Sequence, residues 1–314
     1  MVARHPYRLG AALCLGAGIA FAVQPVLGQL ALDAGAAIPS LLGWRYAIAA
    51  AVLAVVARKR LKALPLRVAG AAFALGVVLY AADSALFYAA LGRTSAPLAM
   101  LVHYAYLPLV VGATAVLGRE RLGVRRVAAL AAVLVGVALV GGGAGAPDPV
   151  GIVLALASAS VYAAYVLLSD RMLRGLDPVA FAAPLVAGAA TAFLVFGAAR
   201  GELGAVGSGI GLASVVVGAI VGTVFAVTAF LAGIRLVGPG TASLLVTIEA
   251  PAGVALAALA LGERLAPAQL AGAGLVLGAI VLLHARVRLP RRRTAEVHSL
   301  PQPRAAEPTE ALAA

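Results

Sequence analysis

The feature that most restricts what this chain can fold into is a succession of long apolar runs. Ten can be drawn: about Leu9–Leu30, Ser40–Ala57, Val68–Leu91, Ser95–Leu117, Val127–Val140, Val150–Ser169, Val179–Ala199, Ile210–Leu231, Gly240–Leu261 and Ala268–His284. All but the fifth, which is short and ends in glycines, reach the roughly 17 to 25 residues that a helix needs to cross the hydrocarbon core of a bilayer. With 63% hydrophobic and 11% charged residues and a mean hydropathy of +1.05, the chain holds more apolar surface than a soluble core of this length could bury. The expected fold class is an all-α integral membrane protein with ten transmembrane helices.

The basic residues test that count. With the N-terminus inside, twenty of the 24 lysines and arginines fall in inside segments. Only Arg93, Arg200 and Arg264 fall outside, and Arg45 lies within a span. Basic residues concentrate in cytoplasmic loops, and one missed helix would swap the side of every later loop, so this asymmetry supports ten spans with both termini cytoplasmic. The net charge of +12 therefore reads as membrane orientation, and no nucleic-acid partner is expected. The first 22 residues have the basic start and apolar run of a signal peptide. The run continues past Gln24 and Pro25 without a small-residue cleavage site, so it is expected to remain as the first helix. A bacterial inner (plasma) membrane is the expected location.

Two stretches are written alike: PLAMLVHYAYLPLVVGATAVLGRERL (Pro97–Leu122) and PGTASLLVTIEAPAGVALAALALGERL (Pro239–Leu265). Each is an apolar run with a proline in its middle and an acid, Arg, Leu ending. Pro108 and Pro251 stand in the same relation to Glu120 and Glu263, at one constant offset of 143. The second half thus repeats the first. Five spans is an odd number, so the second copy enters the membrane from the opposite side, giving two inverted five-helix repeats around a central cavity. The 36 glycines suit close helix packing and bending, although a G+C-rich genome accounts for any single one equally well.

The segment Ala85–Leu122, with its echo Ala232–Leu265, resembles the end of each EamA domain in the drug/metabolite transporter superfamily, as does the arginine of GWRYAIAA at Arg45. The resemblance places the first copy at about residues 10–141 and the second at about 150–285, leaving 286–314 as a tail. It implies ten helices in two inverted repeats and transport of small metabolites, often export. One departure stands out, because Arg119 separates Gly118 from Glu120 where the family pattern has Gly-Glu-Arg. Glu120 and Glu263, near helix ends and beside Arg121 and Arg264, are expected to be structural caps. The tail, which opens RVRLPRRR, is expected to form a basic collar against anionic lipid and then to be disordered.

An ionisable group at bilayer depth is costly unless it is paired or faces water, which makes each one a candidate for solute handling. There are four: Arg45, Asp83, His103 and Glu249. None has a charged counterpart in the other repeat, Arg45 falling opposite Pro184 at an offset of 139 and, at the offset of 143, Asp83 opposite Ala226, His103 opposite Val246 and Glu249 opposite Tyr106. Glu249 is read as a cavity carboxylate for a cationic group or a proton, or else as a protonated acid bonded within the bundle beside Pro251. The resemblance, which puts a Leu-Glu-Pro element here, favours the first. Arg45 is read as a fixed cation for a carboxylate or phosphate, or else as the partner of Asp83 in a structural salt bridge. Tyr104 beside His103, Gln24 beside Pro25, and Trp44 beside Arg45 complete the candidates.

The single Cys14 and four scattered histidines have no metal-ligand spacing, and no Walker A pattern occurs, so no metal, cofactor or direct ATP drive is expected. The leading expectation is a secondary transporter that exports small polar metabolites, amino-acid-like or drug-like, by alternating access. A membrane-embedded lipid-modifying enzyme and a passive channel are the alternatives. The partners are a small solute and the lipid bilayer. Proton coupling through Glu249 or Asp83 stays open beside downhill transport, and nothing in the sequence fixes the oligomeric state.

Overall fold

The structure, a computed structural model, describes residues 4–94, 96–119, 123–140, 148–204, 206, 209–261 and 266–284. The expected tail and the acids Glu120 and Glu263 lie outside the described residues. Among the described residues every expected apolar run is helical and there is no strand. The first half comprises α1 (Arg4–Phe21), α2 (Val23–Asp33), α3 (Ile38–Leu61), α4 (Leu66–Leu75), a π-helical turn at Gly76–Tyr80, α5 (Ala81–Leu91), α6 (Ala96–His103), α7 (Tyr106–Val116) and α8 (Val124–Val140). The second comprises α9 (Pro149–Met172), α10 (Pro178–Ala199), α11 (Gly209–Ala219), a π-helical turn at Ile220–Phe225, α12 (Ala226–Val237), α13 (Pro239–Val246), α14 (Glu249–Leu261) and α15 (Pro267–His284). Among the described residues seven continuous or nearly continuous helices are long and apolar enough to cross a membrane: Pro6–Asp33, Ile38–Leu61, Leu66–Leu91, Ala99–Val116, Pro149–Met172, Pro178–Ala199 and Gly209–Val237.

The repeated prolines explain where helices break. Proline has no N–H, so the carbonyl four residues earlier loses its helical donor. For Pro108 that carbonyl belongs to Tyr104, and for Pro251 to Thr247. In both places a tighter bond replaces the lost one: the Leu107 amide donates to the Tyr104 carbonyl at 3.0 Å, and the Ala250 amide donates to the Thr247 carbonyl at 3.0 Å. The helix therefore breaks between His103 and Tyr106 and again between Val246 and Glu249, displaced by the same 143 residues. The π-helical turns also recur at matching places. Each adds about one residue to a turn and so rotates the helix that follows, α5 or α12, by roughly 100°.

The packing of the two halves is reciprocal. The helix α3 packs on α10, α8 on α15 and α7 on α13, while α1 meets α12 as α9 meets α5, and α11 meets α3 as α4 meets α10. Glycine sets the closest of these approaches. A Cβ on Gly76 would lie 1.9 Å from the Leu185 carbonyl oxygen, and one on Gly188 would lie 2.1 Å from that of Phe73, so α10 touches the α4 segment backbone to backbone. Ion pairs tie helix ends and loops that are distant in sequence: Arg60 pairs with Asp177 at 3.3 Å, Arg119 with Asp170 at 2.6 Å and Arg93 with Asp148 at 3.8 Å.

Candidate functional site

A cavity of about 110 Å³ lies between the halves, lined from α1, α2, α3, α5, α6, α7, α9, α12 and α14. Arg45, Asp83, His103 and Glu249 all line it, with Gln24 and Tyr104. Residues from four first-half spans and one second-half span thus converge, although the chain separates Gln24 from Glu249 by more than two hundred residues. Trp44 does not join them. It is 43% exposed, and its indole N–H donates to the Gly204 carbonyl at 3.4 Å, because the residue before Arg45 on a helix points well away from it.

Arg45 is 3% exposed and makes no ion pair with Asp83. Its guanidinium donates to the Tyr88 hydroxyl at 2.8 Å and to the Tyr46 hydroxyl at 2.8 Å, and its carbon lies 4.6 Å and 5.4 Å from the centres of those rings. Tyr46 in turn shares a 2.6 Å hydrogen bond with Ser84, whose hydroxyl donates to the Tyr80 carbonyl at 3.0 Å. The stem of Arg45 rests against Gly218, where a Cβ would come within 2.8 Å of its Cδ. A tyrosine cradle thus holds the cation, and among the described residues no carboxylate neutralises it. Among the described residues its buried Nε has no hydrogen-bond partner, and neither does the buried hydroxyl of Tyr104. Unmet buried polar groups of this kind cost about 1–3 kcal/mol each, which a solute supplying acceptors would recover.

Asp83 takes a different partner. It accepts a hydrogen bond from the Ser158 hydroxyl at 2.6 Å, and the same Ser158 Oγ is 3.0 Å from His103 Nδ1. The His103 ring is wedged among Phe87, Tyr106 and Tyr162, with centroids 5.2, 5.4 and 5.4 Å away. Gln24 donates from Nε2 to the Gly222 carbonyl, in the second π-helical turn. A Cβ at Gly222 would lie 2.6 Å from Gln24 Cγ, so this glycine is what admits the glutamine side chain. Glu249 is the first residue of α14, where the unpaired amides of a helix start favour a carboxylate. No side-chain hydrogen bond or ion pair holds it to the described residues. Among the described residues no group of three or more His, Cys, Asp or Glu side chains is placed to hold a metal ion.

Two features were missed from the sequence. Seven of the eight tyrosines line the cavity, all except Tyr7, and of these only Tyr104 was among the candidates; Tyr106 and Tyr162 meet edge to face at 4.7 Å. The signal was present, since tyrosine is rare in this chain and recurs mid-span. Ser158 gave no such signal, because a serine in an apolar helix commonly bonds its own backbone.

A family model described as the EamA-like transporter family matches residues 8–142 and 149–285. Among solved structures 29 chains match. One, a crystal structure described only as that of a protein, is 21% identical with a TM-score of 0.69, covering 89% of this chain and 96% of its own. At that identity the likeness concerns the fold alone. No curated protein matches the chain.

Proposed function

Because the chain belongs to the EamA-like transporter family, and is thus a multi-pass membrane transporter, we propose that it exports small polar solutes, amino-acid-like or drug-like, by alternating access. In this reading ten helices form two inverted five-helix repeats, with both termini cytoplasmic. The reciprocal packing and the matched helix breaks support the repeat, and the 143-residue displacement across an odd number of spans supports the inversion. One observation carries the functional reading: Arg45, Asp83, His103 and Glu249, scattered over four spans of both halves, face one cavity at the interface of those halves.

Arg45 and Glu249 hold the solute. Arg45 offers a fixed cation with an unspent N–H, and Glu249 offers a carboxylate at a helix start. The seven tyrosines supply hydroxyls and ring faces, a lining suited to solutes with both polar and flat apolar parts. The test is flux through purified protein in liposomes, with a radiolabelled amino-acid pool and a set of cationic drugs as probes. Glu249→Gln and Arg45→Ala should insert normally and lose flux. Full flux in both would remove this site. A channel would give flux that rises linearly with solute concentration, and a lipid-modifying enzyme would give turnover of bilayer lipid.

A further inference from the structure

We propose that Asp83, Ser158 and His103 form a relay that carries one proton, separate from the pair that holds the solute, and that this relay couples the transporter to the proton gradient. The inference rests on the transport reading above and assigns the proton to one of its groups.

The geometry leads to it. Ser158 on α9 is 0% exposed and stands between Asp83 on α5, at 2.6 Å, and His103 at the end of α6, at 3.0 Å. A hydroxyl has one proton, so it can donate to only one of the two. When Ser158 donates to the Asp83 carboxylate, His103 must donate from Nδ1 to Ser158. When Ser158 donates to a bare Nδ1, Asp83 must carry the proton and donate to Ser158. The Ser158 hydroxyl also lies 3.3 Å from the Asp83 backbone carbonyl, a longer contact than either side-chain bond, so between its two side-chain partners the chain has two ordered states. The Asp83 O–H bond breaks as an O–H bond forms on Ser158, while the original Ser158 O–H bond breaks as an N–H bond forms on His103. One proton moves, leaving a carboxylate and an imidazolium, with nothing oxidised or reduced.

The surroundings isolate this exchange. The charged groups that face the same cavity are Arg45 from α3 and Glu249 from α14. Neither bonds to the relay, since Arg45 is committed to Tyr46 and Tyr88. The other titratable neighbours are tyrosines, chiefly Tyr106 on α7 and Tyr162 and Tyr165 on α9, whose hydroxyls are neutral at physiological pH. The helix α10, which also packs against α5, brings no ionisable side chain. The relay also bridges the halves, Asp83 and His103 belonging to the first and Ser158 to the second. Any rocking of one half against the other stretches the Ser158 bonds, so the position of the proton and the conformation of the protein bias each other.

The experiment has a solute-free arm and a transport arm. Infrared difference spectra of the protein in liposomes, taken across a pH jump, should show a protonated-carboxyl band. Asp83→Asn should remove it, and Glu249→Gln should leave it. Nitrogen NMR with labelled histidine should show the hydrogen-bonded Nδ1 of His103 change in Ser158→Ala. A band lost in Glu249→Gln and kept in Asp83→Asn would overturn the assignment, as would a His103 signal indifferent to Ser158→Ala. In the transport arm, Ser158→Ala should keep exchange of the radiolabelled amino-acid pool at equal pH and lose the accumulation driven by a pH gradient. Accumulation kept in both Ser158→Ala and Asp83→Asn would also overturn it. Absence of all pool flux in the wild type would instead count against the transport reading, and the spectra would still decide the relay.

Discussion

Replacing Arg45 by methionine separates a solute-binding role from a structural one. The side chain makes two charge-assisted hydrogen bonds of 2.8 Å to tyrosine hydroxyls and lies over two tyrosine rings. Such bonds contribute about 1.5–3 kcal/mol each, and a desolvated cation over a ring adds about 2 kcal/mol. Against this stands the burial of a cation that no carboxylate neutralises among the described residues, which costs several kcal/mol. The opposing sums are of similar size. Methionine fills comparable volume and carries no charge, and Tyr46 keeps its bond to Ser84. Arg45→Met should therefore change the unfolding free energy, followed by detergent-to-SDS titration, by less than about 2 kcal/mol in either direction. Flux should be lost. A loss of about 3–5 kcal/mol, the usual effect of breaking a buried ion pair, would refute the reasoning and make Arg45 a structural residue.

Other consequences follow from the packing. Gly188→Ala should lower stability by at least about 1–3 kcal/mol, read as a fall in melting temperature, because its Cβ meets backbone that has no flexible end to give way. Pro251→Ala restores a donor for the Thr247 carbonyl. It should leave the melting temperature equal or higher while slowing flux, if the break before Glu249 takes part in gating. Asp170→Asn removes the 2.6 Å pair with Arg119, which is mostly shielded from solvent. It should cost about 1 kcal/mol, and less at high salt.

How far the sequence foretold this depended on which feature was periodic. The paired prolines Pro108 and Pro251 were legible because the pattern occurs twice, but the breaks they make at Tyr104 and Thr247 were not drawn in the continuous runs Ser95–Leu117 and Gly240–Leu261, although a missing N–H acts within one turn. The convergence of Arg45, Asp83, His103 and Glu249 was legible because charge at bilayer depth must face a cavity or a partner. Whether Arg45 met Asp83 was not legible, since a span that is apolar on every side carries no hydrophobic period to say which face looks inward. The structure sends Arg45 to Tyr46 and Tyr88 and sends Asp83 to Ser158. Trp44 misled for the same reason, being adjacent in sequence to Arg45 yet on another face of α3. The π-helical turns at Gly76–Tyr80 and Ile220–Phe225 left no mark in composition, and they rotate the segments that carry Asp83 and Phe230 to the cavity.

The central claim is that one cavity between two halves takes a solute and opens to each side in turn. Its most direct test is trans-stimulation. Liposomes with wild-type protein take up a radiolabelled amino-acid pool or a cationic drug while unlabelled solute is varied on the far side. Alternating access predicts saturable uptake, accelerated by solute on the opposite side, and abolished by Glu249→Gln. Uptake that stays linear with concentration and is indifferent to the far side would contradict the account.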